Sequence, residues 1–157
     1  MTMKGIAERA GVSRQTVYRW WSTKAEILLE ASADDAAEEL AVTRGADPVQ
    51  TLSAYLDALV AYLTTSQAGA AYRALLGEAQ YDQEVAALLA KRDPLGDSAR
   101  AVITQVLGDA PLQVSPEEAS ALLIGPTFYW ILGGRGTQAL STDRFATDFL
   151  ALVRPTD

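Results

Sequence analysis

Arg14, Gln15, Thr16, Tyr18 and Arg19 lie within one short window, and Lys24 follows closely. Guanidinium, amide and hydroxyl groups at that density suit hydrogen bonding to base edges and phosphates. Arginine matches guanine, glutamine matches adenine, and tyrosine and threonine reach the backbone. For catalysis the inventory is poor. The chain has no His and no Cys, so imidazole bases, thiolate nucleophiles and ordinary zinc ligation lack their residues. Asp34 with Glu38, and Asp35 with Glu39, have the spacing of metal ligands on a helix. A di-iron bundle also needs Glu-x-x-His, which is absent, so these acids are read as a solvated face. No phosphate-binding glycine loop occurs. Neither an enzyme nor a cofactor is expected.

To act together, the donor-bearing residues must leave one helix on one face. Val17 and Trp21, four apart, define the inward side, with Trp20 at its edge. Gln15, Tyr18 and Arg19 then point outward, flanked by Arg14 and Thr16. A preceding helix must cross steeply, which calls for a small residue at the contact and positive φ at the corner. Ala7 and Gly11 meet those needs. Ile6, Ala10 and Val12 are expected to complete the small core, with Ser13 and Thr2 as N-caps. The pattern is that of a helix-turn-helix, a shape suited to a DNA major groove.

The run Ile6, Ala7, Ala10, Gly11, Val12, Ser13, Thr16, Val17, Tyr18, Trp21, Thr23 and Lys24 resembles the DNA-binding signature of the TetR (tetracycline-repressor-like) family of bacterial transcription regulators. The resemblance implies base and phosphate contacts at Arg14, Gln15, Tyr18 and Trp20. It also implies phosphate contacts at helix N-termini by Thr2 and Lys24. Arg14 and Gln15 are assigned to bases, and Thr2, Tyr18, Arg19 and Lys24 to phosphates, with Thr16 beside them. Trp20 stands where such relatives often carry a polar or basic residue, and Ser22 where proline is common. The family also implies a further helix ahead of Thr2, so a start upstream of this chain is expected, with weaker DNA binding by the present one.

The chain has 157 residues, a hydrophobic share of 49% and a net charge of −7. That length can bury a core, and the composition fits a helical globular protein. A soluble cytoplasmic protein with no membrane association is expected. Net acidity alone argues against nucleic acid, but its distribution does not. Five bases (Lys4, Arg9, Arg14, Arg19, Lys24) face three acids (Glu8, Glu26, Glu30) in the first thirty residues, and the remaining acids outnumber bases about twofold. A basic tip on an acidic body would meet DNA in one orientation.

Cap and period signals divide the rest into helices. Thr23 with Glu26 forms a capping box that opens a helix to about residue 42. Asp47-Pro48-Val49-Gln50 opens the next, carrying Val49, Leu52, Leu56, Leu59, Val60 and Leu63. Others are expected over about 70–80, from Asp82, from Ala99 after a break at Asp93-Pro94-Leu95-Gly96, over 115–132 and over 142–153. No segment alternates as a strand does. The expected fold is all-α, with residues 1–43 as the helix-turn-helix region and connecting helix, and 44–157 as a ligand-binding and dimerisation domain.

The helix over 119–132 is apolar on every side, more than one core absorbs. A homodimer interface formed by Leu122, Leu123, Phe128, Tyr129, Trp130, Phe145, Phe149 and Leu152 is the preferred reading, with a central core helix as the alternative. The stretch from Leu123 to Trp130 also resembles the dimerisation helix of one TetR C-terminal subgroup. The family implies a small-molecule pocket in the body. Tyr55, Leu59, Tyr62, Tyr72, Leu76 and Tyr81 are its candidates, for an apolar or aromatic effector; packed core aromatics are the competing reading. The expected function is a ligand-responsive repressor, homodimeric on a palindromic double-stranded operator. The alternative is a dimerising or ligand-binding regulator body impaired in DNA binding.

Overall fold

The computed structural model describes residues 3–154. Among these the helices are α1 Met3–Ala10, α2 Arg14–Trp20, α3 Lys24–Glu39, α4 Pro48–Thr65, α5 Gln67–Glu78, α6 Gln83–Lys91, α7 Pro94–Leu107, α8 Pro116–Leu132 and α9 Thr142–Val153. A short 3-10 turn, Thr137–Ala139, precedes α9. No strand occurs among the described residues, and the fold is all-α as expected. None of the described helices is long and apolar enough to cross a membrane.

Side-chain caps begin most of these helices. Ser13 Oγ accepts the Thr16 N–H at 3.1 Å, and Asp47 accepts that of Gln50 at 2.9 Å. Ser115 and Glu118 form the full reciprocal box, and the Ser115 N–H on the carboxylate holds Glu118 below its ordinary carboxylate range. At α3 the box is displaced. Thr23 Oγ1 accepts the Glu26 N–H, but the Glu26 carboxylate takes the Ser22 N–H at 2.6 Å instead of that of Thr23.

Three helix limits differ from expectation. α3 stops at Glu39, where Leu40 turns into the core. α5 begins at Gln67, because Ser66 Oγ caps Ala68 and Gly69. The break at Asp93-Pro94 is a helix start: Asp93 accepts the Gly96 N–H at 2.9 Å and proline occupies the first turn, where it costs no hydrogen bond.

α4 is the centre of the body. Leu52, Tyr55, Leu56, Leu59, Tyr62 and Leu63 lie along it without exposed surface, and α9, α5, α7 and α8 pack around it. α3 leans mainly on α5 and α7, so the helix that carries the tip is seated on the body. At Gly69 an added Cβ would collide with the Tyr62 carbonyl, so glycine is what lets α5 cross the end of α4.

Candidate nucleic-acid interface

Gly11 turns the corner between α1 and α2 with φ +68°, a conformation that costs other residues steric strain. Nothing lies within 4 Å of where its Cβ would be, so the requirement is torsional, not spatial. The Val12 N–H then closes on the Ala7 carbonyl at 3.0 Å. Ala7 and Val17 are the contact between the two helices, at 2% and 4% exposure. The other expected core positions are more open: Ile6 is half-buried, Ala10 exposed, and Val12 is 42% exposed. Two helices this short cannot surround their own contact.

With Val17 inward, Arg14, Gln15, Thr16, Tyr18 and Arg19 are all exposed on α2. Thr16 also pairs its hydroxyl with that of Ser13 at 2.9 Å, so it serves the cap as well as the surface. Trp20, expected at the inner edge, is 71% exposed. Lys24 is exposed at the first turn of α3. Lys4 pairs with Glu8 at 3.6 Å, whereas Arg14, Arg19 and Lys24 have no ion pair among the described residues. Their charge is available to a polyanion. Thr2 lies outside the described residues.

Sequence spacing did not reveal how this tip is held. The Trp21 indole N–H donates to the Glu30 carboxylate at 2.8 Å, joining the end of α2 to the second turn of α3.

The expected effector residues separate. Tyr55, Leu59, Tyr62 and Tyr72 are packed in the core. The Tyr55 hydroxyl meets Ser98 Oγ at 2.8 Å and that of Tyr62 donates to the Ser32 carbonyl at 3.1 Å. Burial pushes the phenols of Tyr55 and Tyr62 up to about 12 and raises that of Tyr72 further. Leu76 is half-buried, and Tyr81, past the end of α5, is 95% exposed and apart from the others.

The expected interface residues also divide. Ala119, Leu123, Thr127 and Ile131, four apart, form the inward stripe of α8, and Phe149 faces inward from α9. Leu123 and Phe149 are therefore core residues, not surface ones. Phe128, Trp130 and Phe145 are half-buried. Leu122, Tyr129 and Leu152 are exposed, and an open apolar groove of about 620 Å³ runs past Ala121, Ile124, Gly125 and Leu132. α8 continues through Pro126. Proline frees the Leu122 carbonyl, and Leu122 lies on the exposed side where water can reach it. Arg135 stacks over Tyr129 at 4.6 Å and Trp130 at 5.6 Å, closing one end of this face.

Comparison with known proteins agrees with these features. The family model for bacterial regulatory proteins of the tetR family matches residues 1–31, and that for the tetracyclin repressor-like C-terminal domain matches residues 42–153. The chain is 30% identical over 136 residues to the uncharacterized HTH-type transcriptional regulator YdeS of Bacillus subtilis (strain 168), covering 84% of this chain and 68% of that protein. A crystal structure of a transcriptional regulator from Rhodococcus sp. Rha1 shares the fold. Its TM-score is 0.60 at 23% identity, across 99% of this chain and 88% of that one. A helix-turn-helix with an open donor-bearing face, joined to a helical body that matches the family's own C-terminal model, makes this chain a member of the TetR family of DNA-binding transcription regulators.

Proposed function

We propose that the chain is a ligand-responsive repressor acting in the cytoplasm as a homodimer on a palindromic double-stranded operator. Residues 1–43 form the DNA-reading unit with its connecting helix, and 44–157 the pairing and sensing body. The observation that carries this reading is the exposed face of α2, whose arginines are uncommitted to ion pairs among the described residues. Arg14 and Gln15 read bases. Thr2, Tyr18, Arg19 and Lys24 hold phosphates, with Thr16 and Trp20 at the margins. The repressor role draws on the tetracyclin repressor-like match. The dimer draws on the exposed apolar side of α8, since one helix-turn-helix binds weakly and a two-fold protein mirrors a palindrome. An apolar or aromatic effector is proposed, in keeping with the apolar side chains that fill the body.

Fluorescence anisotropy against DNA from upstream of its own gene, at several salt concentrations, tests the reading. A DNA-reading dimer loses affinity steeply with salt, with a log–log slope of about −0.9 per phosphate contact. Absence of selective binding would leave the second reading, a body that pairs or senses without reading DNA. The thin α1–α2 contact, with only Ala7 and Val17 buried in those two helices, favours that alternative.

A further inference from the structure

We propose that the cleft between α3 and α7 binds a small, uncharged, largely apolar molecule carrying an N–H or O–H donor. This rests on the ligand-responsive reading above and moves the point of contact away from the core tyrosines. Tyr55, Leu59 and Tyr62 have no exposed surface, and the Tyr55 and Tyr62 hydroxyls are already engaged. A ligand there would have to displace the centre of α4.

The α3–α7 cleft is open already. It has a volume of about 360 Å³, within the usual range for small-molecule sites. Ala37 lines it from α3, Ala41 from the segment just past that helix and Ala101 from α7, all three exposed. Leu40 and Val102 line it as well, each only 3% exposed. The small residues leave the space and the large ones give it an apolar base.

Its polar groups define what the occupant must carry. Ser98 is committed, donating to the Leu95 carbonyl at 2.9 Å and meeting the Tyr55 hydroxyl at 2.8 Å. Asp97 is already paired with Arg100 at the exposed rim of the cleft. Gln105 is different. Its amide N–H reaches the Val42 carbonyl at a long 3.4 Å, and its amide oxygen accepts no hydrogen bond from the described residues. An acceptor beside an apolar cleft suits a ligand that carries a donor on an apolar body.

N-phenyl-1-naphthylamine has that chemistry, two aromatic units joined by one N–H, and brightens in apolar surroundings. Titrated into the full chain without DNA, it should fill one saturable site. Ala101→Trp should abolish that signal, as should Ala37→Phe from α3; circular dichroism shows which of the two variants retains the fold. Gln105→Leu should weaken binding by roughly three- to tenfold, the worth of one hydrogen bond. Ala121→Glu, in the α8 groove, should leave it unchanged. The proposal is overturned if the parent chain shows no saturable binding, if folded cleft variants bind as the parent does, or if Ala121→Glu alone removes the signal. Operator affinity of the dye-free parent chain is read separately. Its absence with the dye result intact defeats the operator-reading proposal and leaves the site standing, and the converse defeats only the site.

Discussion

The Trp21 indole donates to the Glu30 carboxylate at 2.8 Å across the junction of α2 and α3. Trp21 directly follows the donor-bearing helix, and Glu30 belongs to the helix seated against α5 and α7. This bond therefore ties the orientation of the reading face to the body. Trp21→Phe keeps an aromatic ring, though a smaller one, and removes the donor. It should loosen the tip by about 0.5–1.5 kcal/mol, seen as faster amide exchange in α2 while the body melts unchanged. Unaltered exchange in α2 would remove the tether from the account.

Gly11 and Gly69 are required for different reasons, and alanine should separate them. At Gly11 the backbone has φ +68° with space around it, so Gly11→Ala should cost about 1–2 kcal/mol of torsional strain. At Gly69 a methyl meets the Tyr62 carbonyl. Gly69→Ala should cost about 1–3 kcal/mol or more through overpacking. Urea denaturation measures both, and Gly69→Ala should lower the body's midpoint whereas Gly11→Ala should not.

Arg14→Ala should reduce operator affinity by about 1–3 kcal/mol and relax preference at one base pair. A uniform loss on all sequences would move Arg14 to the phosphate class. Lys24→Ala should weaken every sequence alike and flatten the salt slope by about 0.9. An unchanged slope counts against its assigned contact.

Leu122 and Leu123 are neighbours on α8 with opposite environments, 38% and 1% exposed. Leu123→Ala should cost about 2–5 kcal/mol of stability by opening a cavity. Leu122→Asp should keep its helical circular dichroism and shift sedimentation toward the monomer. An unshifted oligomeric state would remove this side of α8 from the interface.

The buried phenols set an alkaline limit. Burial lifts those of Tyr55 and Tyr62 from 10.0 to about 12, so unfolded chains release these protons first. Their contribution is complete below the ordinary tyrosine value and declines as pH rises from 10 toward 12. Tyr55→Phe should flatten that decline in urea titrations across this window, and an unchanged slope would show that Tyr55 contributes nothing to it.

What was legible in the sequence was chemistry that acts over a few residues. Ser13, Thr23, Asp47 and Ser115 cap within three positions of themselves, and each caps its helix. Gly11 answers a torsional need of its own corner. The outward face of α2 follows from helical spacing alone once Val17 is turned inward. The displaced box at Ser22 and the helix start at Asp93 were less legible, because two neighbouring backbone N–H groups competed for the Glu26 carboxylate and a proline allowed either a stop or a start.

Tertiary structure decided what depends on distant partners. All-round apolarity in α8 could not say that Leu123 and Phe149 face the core while Leu122 and Leu152 remain outside. That division requires knowing where α4 and α7 lie. The tyrosines shared a composition but not a place, since Tyr55, Tyr62 and Tyr72 were drawn inward by α4 and α5 while Tyr81 lies beyond the end of its helix. The Trp21–Glu30 bond and the α3–α7 cleft belong to neither partner's local sequence. Periodicity tells a helix which side to bury; only packing in three dimensions determines what that side meets and where two surfaces fail to close.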